Sequence, residues 1–223
     1  MIKTPIPSFV FAAVLALAPT SARAAVIVAN TGSVAGTAGQ SSSLNFLAAG
    51  FISPSVATTI TSVDLPLEEG SGAPTVLLSL YSDNGGVPGS PIAALGQQNV
   101  NGAATYTFTP AAPVGIGAST SYWLVLECPN CVVGVITNNW GESSGFTLAG
   151  LPGANVVLGV GFSADGGTSW DIFDPDRAFV FRVNGDPVTV VAIPTLSGWS
   201  LTLLTGLLVL AGVVLVRRRL ASG

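Results

Sequence analysis

Two cysteines, in the run Cys128-Pro129-Asn130-Cys131, have the spacing with the most easily defined chemistry. A C-x-x-C pair is typical of thioredoxin-like redox sites, where the first thiolate lies at a helix N-terminus. Here the pair follows a predicted strand ending at Glu127 and precedes the apolar run 132–136. This β-hairpin context favours a structural disulfide over redox catalysis. Zinc is a weaker alternative, because the chain has no histidine and no second cysteine pair.

A group of carboxylates near the end of the chain could hold a metal ion. Asp165, Asp171, Asp174 and Asp176 lie close together in sequence, and Ca²⁺ prefers six to eight oxygen ligands. Their spacing matches no EF-hand, and Arg177 could pair with one of them. The sequence therefore leaves a weak calcium site open but favours an ordinary solvated loop. No other cofactor is predicted.

Catalytic residues are scarce. The chain has no histidine, and its one lysine is Lys3, so Ser-His-Asp or Cys-His triads and a lysine base in the body are excluded. A glycosidase needs only two carboxyl groups, but nothing singles out a pair. The carboxylates available to it are Glu68, Glu69, Glu127 and Glu142. We therefore predict a protein that is not an enzyme.

Charge is distributed unevenly along the chain. All eleven acidic residues lie in the body, residues 25–192, together with only two basic residues, Arg177 and Arg182. The formal net charge of the body is therefore 2 − 11 = −9. Two cations cannot neutralise a run of phosphates, so the body is not expected to bind nucleic acid or anionic lipid headgroups.

Apolar residues in the body recur with a period of two, which is typical of half-buried strands. Gly, Pro, Asn and Ser clusters separate these runs, and no stretch has a helical period. The pattern predicts an all-β, jelly-roll-like antiparallel β-sandwich of eight to ten strands. The apolar sets expected to share a face are Val63, Leu65 and Leu67; Val76, Leu78 and Leu80; Tyr106 and Phe108; Tyr122, Leu124 and Leu126; Val156, Leu158, Val160 and Phe162; and Phe179, Phe181 and Val183.

The N-terminus has the layout of a secretory signal peptide. Lys3 precedes the apolar stretch 9–18, and Ala22-Arg23-Ala24 fits a small-x-small cleavage site before Ala25. The stretch is too short for a membrane span, although an uncleaved anchor remains the alternative. Residues 1–24 are therefore predicted to be removed by signal peptidase. Export also predicts oxidised cysteines.

The C-terminus combines four elements in a fixed order: Ile193-Pro194-Thr195-Leu196, then Trp199, an apolar run 199–216, and Arg217-Arg218-Arg219. The apolar run is just long enough for a transmembrane helix, and the arginines indicate its cytoplasmic end. This order resembles the IPTL-CTERM sorting signal of Gram-negative bacteria, a variant of the PEP-CTERM signals handled by exosortases. The resemblance implies that residues 193–223 are a sorting signal. It also implies an exosortase-like membrane cysteine peptidase as partner, transient residence in the inner membrane, and a final location at the cell surface or outside the cell.

The segment 78–89, Leu-Ser-Leu-Tyr-Ser-Asp-Asn-Gly-Gly-Val-Pro-Gly, runs from a strand into a turn. Together with the strand 122–126 it resembles the choice-of-anchor β-sandwich domains, especially the R type. That resemblance implies a β-sandwich attached to a surface-anchoring tail. The loop itself needs no ligand, because Asp, Asn and Gly suit a turn with positive φ.

The segment Ser163-Ala164-Asp165-Gly166-Gly167-Thr168-Ser169-Trp170 fits S-x-D-x-G-x-[ST]-W, the Asp-box of sialidases and other β-propellers. A propeller needs several repeats, and this chain has one. The motif therefore predicts a hairpin in which Asp165 bonds the turn and Trp170 packs beneath it.

Three functions remain open. The first is a non-enzymatic surface or extracellular-matrix protein. The second is a carbohydrate-binding module that contacts extracellular polysaccharide, suggested by Trp123, Trp140 and Trp170, and the third is a carboxylate-only glycosidase. Buried tryptophans favour the first and exposed ones the second, whereas the third requires two facing carboxylates in an open cleft.

Overall fold

The computed structural model describes residues 24–31, 37–40, 43–69, 74–131, 138–143, 147–188, 205–209 and 217, with the backbone alone at 37–40, 69 and 138–143. The chain divides into two compact units, Met1–Val188 and Thr189–Gly223. In the second unit, residues 205–209 and 217 are helical. The strands of the first unit are β1 (Ala25–Asn30), β2 (Thr37–Gln40), β3 (Phe46–Ile52), β4 (Thr58–Glu69), β5 (Thr75–Asp83), β6 (Pro88–Asn99), β7 (Ala104–Phe108), β8 (Val114–Ile116), β9 (Ser121–Glu127), β10 (Asn138–Ser143), β11 (Leu148–Gly150), β12 (Asn155–Ser163), β13 (Asp171–Phe173), β14 (Ala178–Phe179) and β15 (Phe181–Pro187).

These strands form two antiparallel sheets. The larger sheet has nine strands in the order β11-β1-β15-β4-β10-β14, with β2 beside β10 and with β7 and β8 beside β4. The smaller sheet has six strands in the order β13-β12-β3-β9-β5-β6. The prediction of a two-sheet antiparallel β-sandwich is confirmed. The finer description of its connectivity as jelly-roll-like stays a prediction.

The inner faces of the two sheets share one hydrophobic core. On β5, Val76, Leu78 and Leu80 are fully buried and alternate with half-buried residues, as the period of two predicts. Phe51 of the smaller sheet meets Phe181 of the larger sheet with ring centroids 6.2 Å apart. Each fully buried side chain of this size contributes about 1.5–3 kcal/mol to stability relative to an exposed one.

The predicted number of strands is wrong, since the described residues contain fifteen rather than eight to ten. All six apolar sets fall within strands, but several of the additional strands carry little periodic signal. β8, β11 and β13 have three residues each. β3 is buried along nearly its whole length, so it lacks the alternation of a half-exposed strand.

The prediction that Leu158 shares the core face of β12 is also wrong. Val156 and Val160 are buried, but Leu158 is 46% exposed. The pairing of β12 with β3 shifts register between Val157 and Val160, and Gly159 has φ 106°. A bulge of this kind inserts an unpaired residue, so alternation restarts on the far side of it.

The smaller sheet also has an apolar cluster on its outer face. Trp123 is 0% exposed although it points away from the main core, and it groups with Ala48 and Val125. Phe46, Tyr81, Val157 and Trp170 pack against this group. Gly50 faces the Trp123 ring across the strand pair, where a Cβ would lie 3.1 Å from the ring and 2.7 Å from Cβ of Val157. Val157 and the indole together therefore leave no room for a side chain at this position.

Candidate functional site

The turn between β5 and β6 is held by local hydrogen bonds. The Asn84 amide donates to the Val87 carbonyl at 2.8 Å, and the Gly86 amide donates to Oδ2 of Asp83 at 3.2 Å. Gly85 and Gly86 have φ of 69° and 92°, a region that glycine enters without steric cost. The predicted turn chemistry is confirmed.

The same aspartate connects this turn to the outer cluster. Nε1 of Trp123 donates a hydrogen bond of 2.8 Å to Oδ1 of Asp83, forty residues away in sequence. The carboxylate therefore satisfies the only polar group of a fully buried indole while its other oxygen closes the turn. The segments 78–89 and 122–126, which together resemble choice-of-anchor domains, are joined by this bond.

The Asp-box segment forms the predicted hairpin between β12 and β13. The Asp165 carboxylate accepts hydrogen bonds from the Ser163 hydroxyl (2.8 Å), from the amides of Thr168 (3.0 Å) and Ser169 (2.9 Å), and from the Ser169 hydroxyl (2.6 Å). These bonds, led by the one from the Ser169 hydroxyl, lower the pKa of Asp165 from 3.8 to about 2. The carboxylate thus has a structural role at the centre of the turn.

The two turns line one open groove, here called the two-turn groove, with a volume of about 440 Å³. The β5–β6 hairpin contributes Ser82, Asp83, Asn84, Pro88, Gly89 and Ser90, and the Asp-box hairpin contributes Gly167, Thr168 and Trp170. Trp170 also packs on the outer cluster, as predicted for the residue beneath the hairpin. Most of the lining groups are polar, and none is a cation.

Trp170 differs from Trp123 in its hydrogen bonding. Nε1 of Trp170 is buried and has no acceptor among the residues that the structure describes. An unsatisfied buried donor costs about 1–3 kcal/mol, so van der Waals packing alone holds this ring beside the groove. The side chain of Trp140 lies outside the described residues.

Glu127 and Tyr81 form a second polar contact on the outer face. The Tyr81 hydroxyl donates to Oε1 of Glu127 at 3.3 Å. Burial raises the pKa of Glu127, and hydrogen bonds from Tyr81 and Ser79 partly offset that effect. Burial, together with the Glu127 charge, raises the pKa of Tyr81 to about 12. Sequence reasoning did not find this pair.

A smaller depression of about 280 Å³ lies on the larger sheet and is lined by Asp64 and Arg182, among others. The oxygens of Asp64 accept hydrogen bonds from Thr107 at 2.7 Å and from Asn184 at 2.9 Å. Arg182 is exposed and lies opposite Asp64 in the strand register. This depression contains the positive charge that the two-turn groove lacks.

The carboxylates proposed for calcium are distributed around one hairpin. Asp165 is bonded into the turn, and Asp171, Asp174 and Asp176 are exposed along β13 and the residues after it. Within the described ranges, no group of three or more Asp, Glu, Cys or His side chains is arranged to hold a metal ion. The calcium site stays a prediction.

Cys128 and Cys131 are joined by a disulfide, as predicted. Both are nearly fully buried, with 0% and 3% exposure, and the Cys131 amide donates to the Cys128 carbonyl across the turn. A thiolate nucleophile must be reached by its substrate, so this burial disfavours redox catalysis. The predicted β-hairpin stays a prediction, because its second strand was expected in residues 132–136; β9 lies in the smaller sheet, and the next described strand, β10, lies in the larger one. The apolar run 132–136 lies outside the described residues.

Most of the predicted terminal signals lie outside the part of the chain that the structure describes. This holds for residues 1–23 and for Ile193, Pro194, Thr195, Leu196, Trp199, Arg218 and Arg219. Of the predicted transmembrane segment 199–216, residues 205–209 are described, and they are helical and exposed, whereas Arg217 is a single helical residue. No helix within the described residues has both the length and the apolar character to cross a bilayer.

The meeting of the two turns was not predicted from sequence. The sequence of β9 did contain one indication that its outer face is covered. Trp123 and Val125 alternate with the core residues of this strand, so both of its faces are apolar. An apolar outer face indicates a second covered layer. What covers that face was not evident from the sequence, because Asp83 and Trp170 are distant in the chain.

Comparison with known families identifies a motif at the C-terminus. The family model of the IPTL-CTERM motif matches residues 191–219. No curated protein matches the chain. The choice-of-anchor resemblance of the body stays a prediction, whereas the prediction of an IPTL-CTERM motif at the C-terminus is confirmed.

Proposed function

We propose that this chain is an exported, non-enzymatic protein of the surface or extracellular matrix of a Gram-negative bacterium, processed through its C-terminal sorting signal. The match of residues 191–219 to the IPTL-CTERM motif carries this proposal. Motifs of this type are recognised by exosortase-type machinery, so the proposed partner is an exosortase-like membrane cysteine peptidase. Residues 199–216 hold the chain in the inner membrane until that enzyme cuts at or near 193–196.

The limits of the folded body support both proposed cleavages. β1 begins at Ala25, directly after the proposed signal-peptidase site, and β15 ends at Pro187, before the motif. β15 lies between β1 and β4, and its paired residues all precede the motif. Cleavage at either site therefore removes no described strand of the sandwich.

The mature C-terminus tests the processing step. Intact-mass measurement of the protein from the producing cell is expected to show a chain that lacks the residues beyond the cut. The double variant Pro194→Ala/Thr195→Ala should retain them, and the control Thr189→Ala, outside the matched residues 191–219, should be processed like the wild type. A wild-type chain that still ends at Gly223 would contradict the proposal.

The described carboxylates support a body without hydrolase activity. A glycosidase needs two carboxyl groups that face each other across a substrate. Asp83 and Asp165 are instead occupied by the amides and side chains of their own turns, and Glu127 is bonded to Tyr81. Burial raises the pKa of Glu127, as a general acid requires, but the hydrogen-bond partners of its carboxylate among the described residues are Tyr81 and Ser79.

A panel of substrates tests the proposal that the body has no hydrolase activity. The exported protein should be inert toward glycosides, esters and peptides under conditions in which a known hydrolase is active. Turnover that Glu127→Gln abolishes, while the conservative control Glu68→Gln leaves it intact, would instead support a glycosidase. Carbohydrate binding without turnover is a second candidate function, and the two-turn groove is the specific observation in its favour.

A further inference from the structure

We propose that the two-turn groove binds a neutral polysaccharide, with Trp170 as its aromatic wall and with Asn84 and Ser90 as hydrogen-bonding groups. The groove lies on the outer face of the smaller sheet, and this inference does not depend on the processing of the tail. A failure of either proposal therefore leaves the other intact.

The walls of the groove are held before any ligand arrives. Asp83 fixes the first turn to the buried Trp123, and Asp165 accepts four hydrogen bonds within the second turn. Both turns contain glycines with positive φ, Gly86 and Gly167, so their backbones follow paths that other residues adopt poorly. Preorganised walls reduce the entropy lost on binding.

Two polar side chains in the groove are available to a ligand. The hydrogen bonds that join Asn84 and Ser90 to described residues are made by their backbones: the amide of Asn84 bonds Val87, and the amide and carbonyl of Ser90 bond Ser82. Their side chains make no hydrogen bond to another described residue. An amide and a hydroxyl both donate and accept, as sugar hydroxyls do.

The charge of the groove selects the kind of ligand. Its one charged lining residue is Asp83, and the body carries a formal net charge of −9. An anionic polymer would be repelled from the groove, whereas the hydroxyls of a neutral sugar can donate to the lone pairs of Asp83 that remain free. Each oxygen of Asp83 already accepts one bond, and a carboxylate offers about four acceptor sites.

The size and openness of the groove suit one or two sugar residues of a polymer chain. The volume of about 440 Å³ falls in the usual range of ligand sites, about 300–1,000 Å³. The groove is open to solvent rather than enclosed, so a residue within a longer chain can enter it as well as a free sugar can. Trp170 is half-buried against the outer cluster and lines one side of the groove beside the polar groups, so it limits where a sugar ring can lie.

Affinity electrophoresis of the full-length protein in non-ionic detergent tests the proposal. Native gels would contain galactomannan, mixed-linkage β-glucan, xylan or dextran as neutral polymers, and alginate as the anionic one. We expect at least one neutral polymer, and not alginate, to retard the protein. Asn84→Ala and Ser90→Ala should each weaken that retardation by about three- to tenfold, as for one lost hydrogen bond. Trp170→Ala, which removes one side of the groove, should also weaken it.

Controls separate loss of binding from loss of folding. Gln97→Ala changes an exposed residue of β6 outside the groove, so it should bind like the wild type. Trp170 packs on the outer cluster, so if Trp170→Ala misfolds, the double variant Asn84→Ala/Ser90→Ala decides. Binding by that double variant at wild-type strength would overturn the proposal, and so would the absence of retardation by every neutral polymer. Retardation by alginate that Arg182→Ala removes would also overturn it and would assign binding to the depression on the larger sheet.

Discussion

Replacing Asp83 with alanine is expected to destabilise the body, although the residue itself is exposed. Its Oδ1 is the acceptor for Nε1 of Trp123 at 2.8 Å, and that indole is 0% exposed. Removing the acceptor leaves a buried donor unsatisfied, at about 1–3 kcal/mol. Loss of the bond from the Gly86 amide adds to this effect. We expect a total loss of about 2–3 kcal/mol, or about 4–12 °C in Tm for a domain of this size.

A double-mutant cycle isolates the bond itself. Trp123→Phe removes the indole N–H and some packing, and the combination with Asp83→Ala should be less destabilising than the sum of the two single changes. The coupling should be about 1.5–3 kcal/mol, the range for a hydrogen bond with a charged acceptor. Urea denaturation of the exported protein measures all four free energies of unfolding. Asn84→Ala, in the same turn, should change stability by less than about 0.5 kcal/mol.

A coupling within about 0.3 kcal/mol of zero would contradict a stabilising bond between Asp83 and Trp123, because independent sites are additive to that extent. An Asn84→Ala variant as destabilised as Asp83→Ala would contradict it too. The effect would then belong to the turn as a whole and not to the bond with Trp123.

Three further changes have defined outcomes. The folded-state pKa of Asp165, about 2, lies below its usual value of 3.8. The ionised carboxylate therefore stabilises the fold above pH 3.8, and this stabilisation is lost as the pH falls toward 2. Asp165→Asn should accordingly flatten the decline of Tm between about pH 4 and pH 2. Gly50→Ala should lower the free energy of unfolding by about 1–3 kcal/mol in urea, because the new Cβ would lie 2.7 Å from Cβ of Val157 and 3.1 Å from the Trp123 ring. Gly115→Ala, which enters open space, should be nearly neutral. Alkylation should find no free thiol before reduction. Replacing both cysteines of the disulfide with alanine should lower the free energy of unfolding, measured in denaturant, by about 2 kcal/mol, which is the loop-closure entropy for a loop of four residues.

Much of the fold could be predicted from local patterns. Alternation of apolar residues identified β5 and β9, because side chains of successive strand residues point to opposite faces. The Asp-box hairpin followed from Asp165, whose hydrogen bonds reach only four residues along the chain. The C-terminal motif was readable for the same reason, since its recognition elements follow one another in the linear sequence.

Tertiary structure decided what the sequence could not show. The order of strands depends on which surfaces complement each other in space, so the placement of β9 and β10 in different sheets had no local signal. The bulge at Gly159 shifts register and exposes Leu158, against the periodic pattern. The two-turn groove exists because the hairpins containing Asp83 and Trp170 meet over the face that carries Trp123. Short-range preferences set the turns themselves, but only packing of the whole sandwich brings residues more than eighty positions apart to one site.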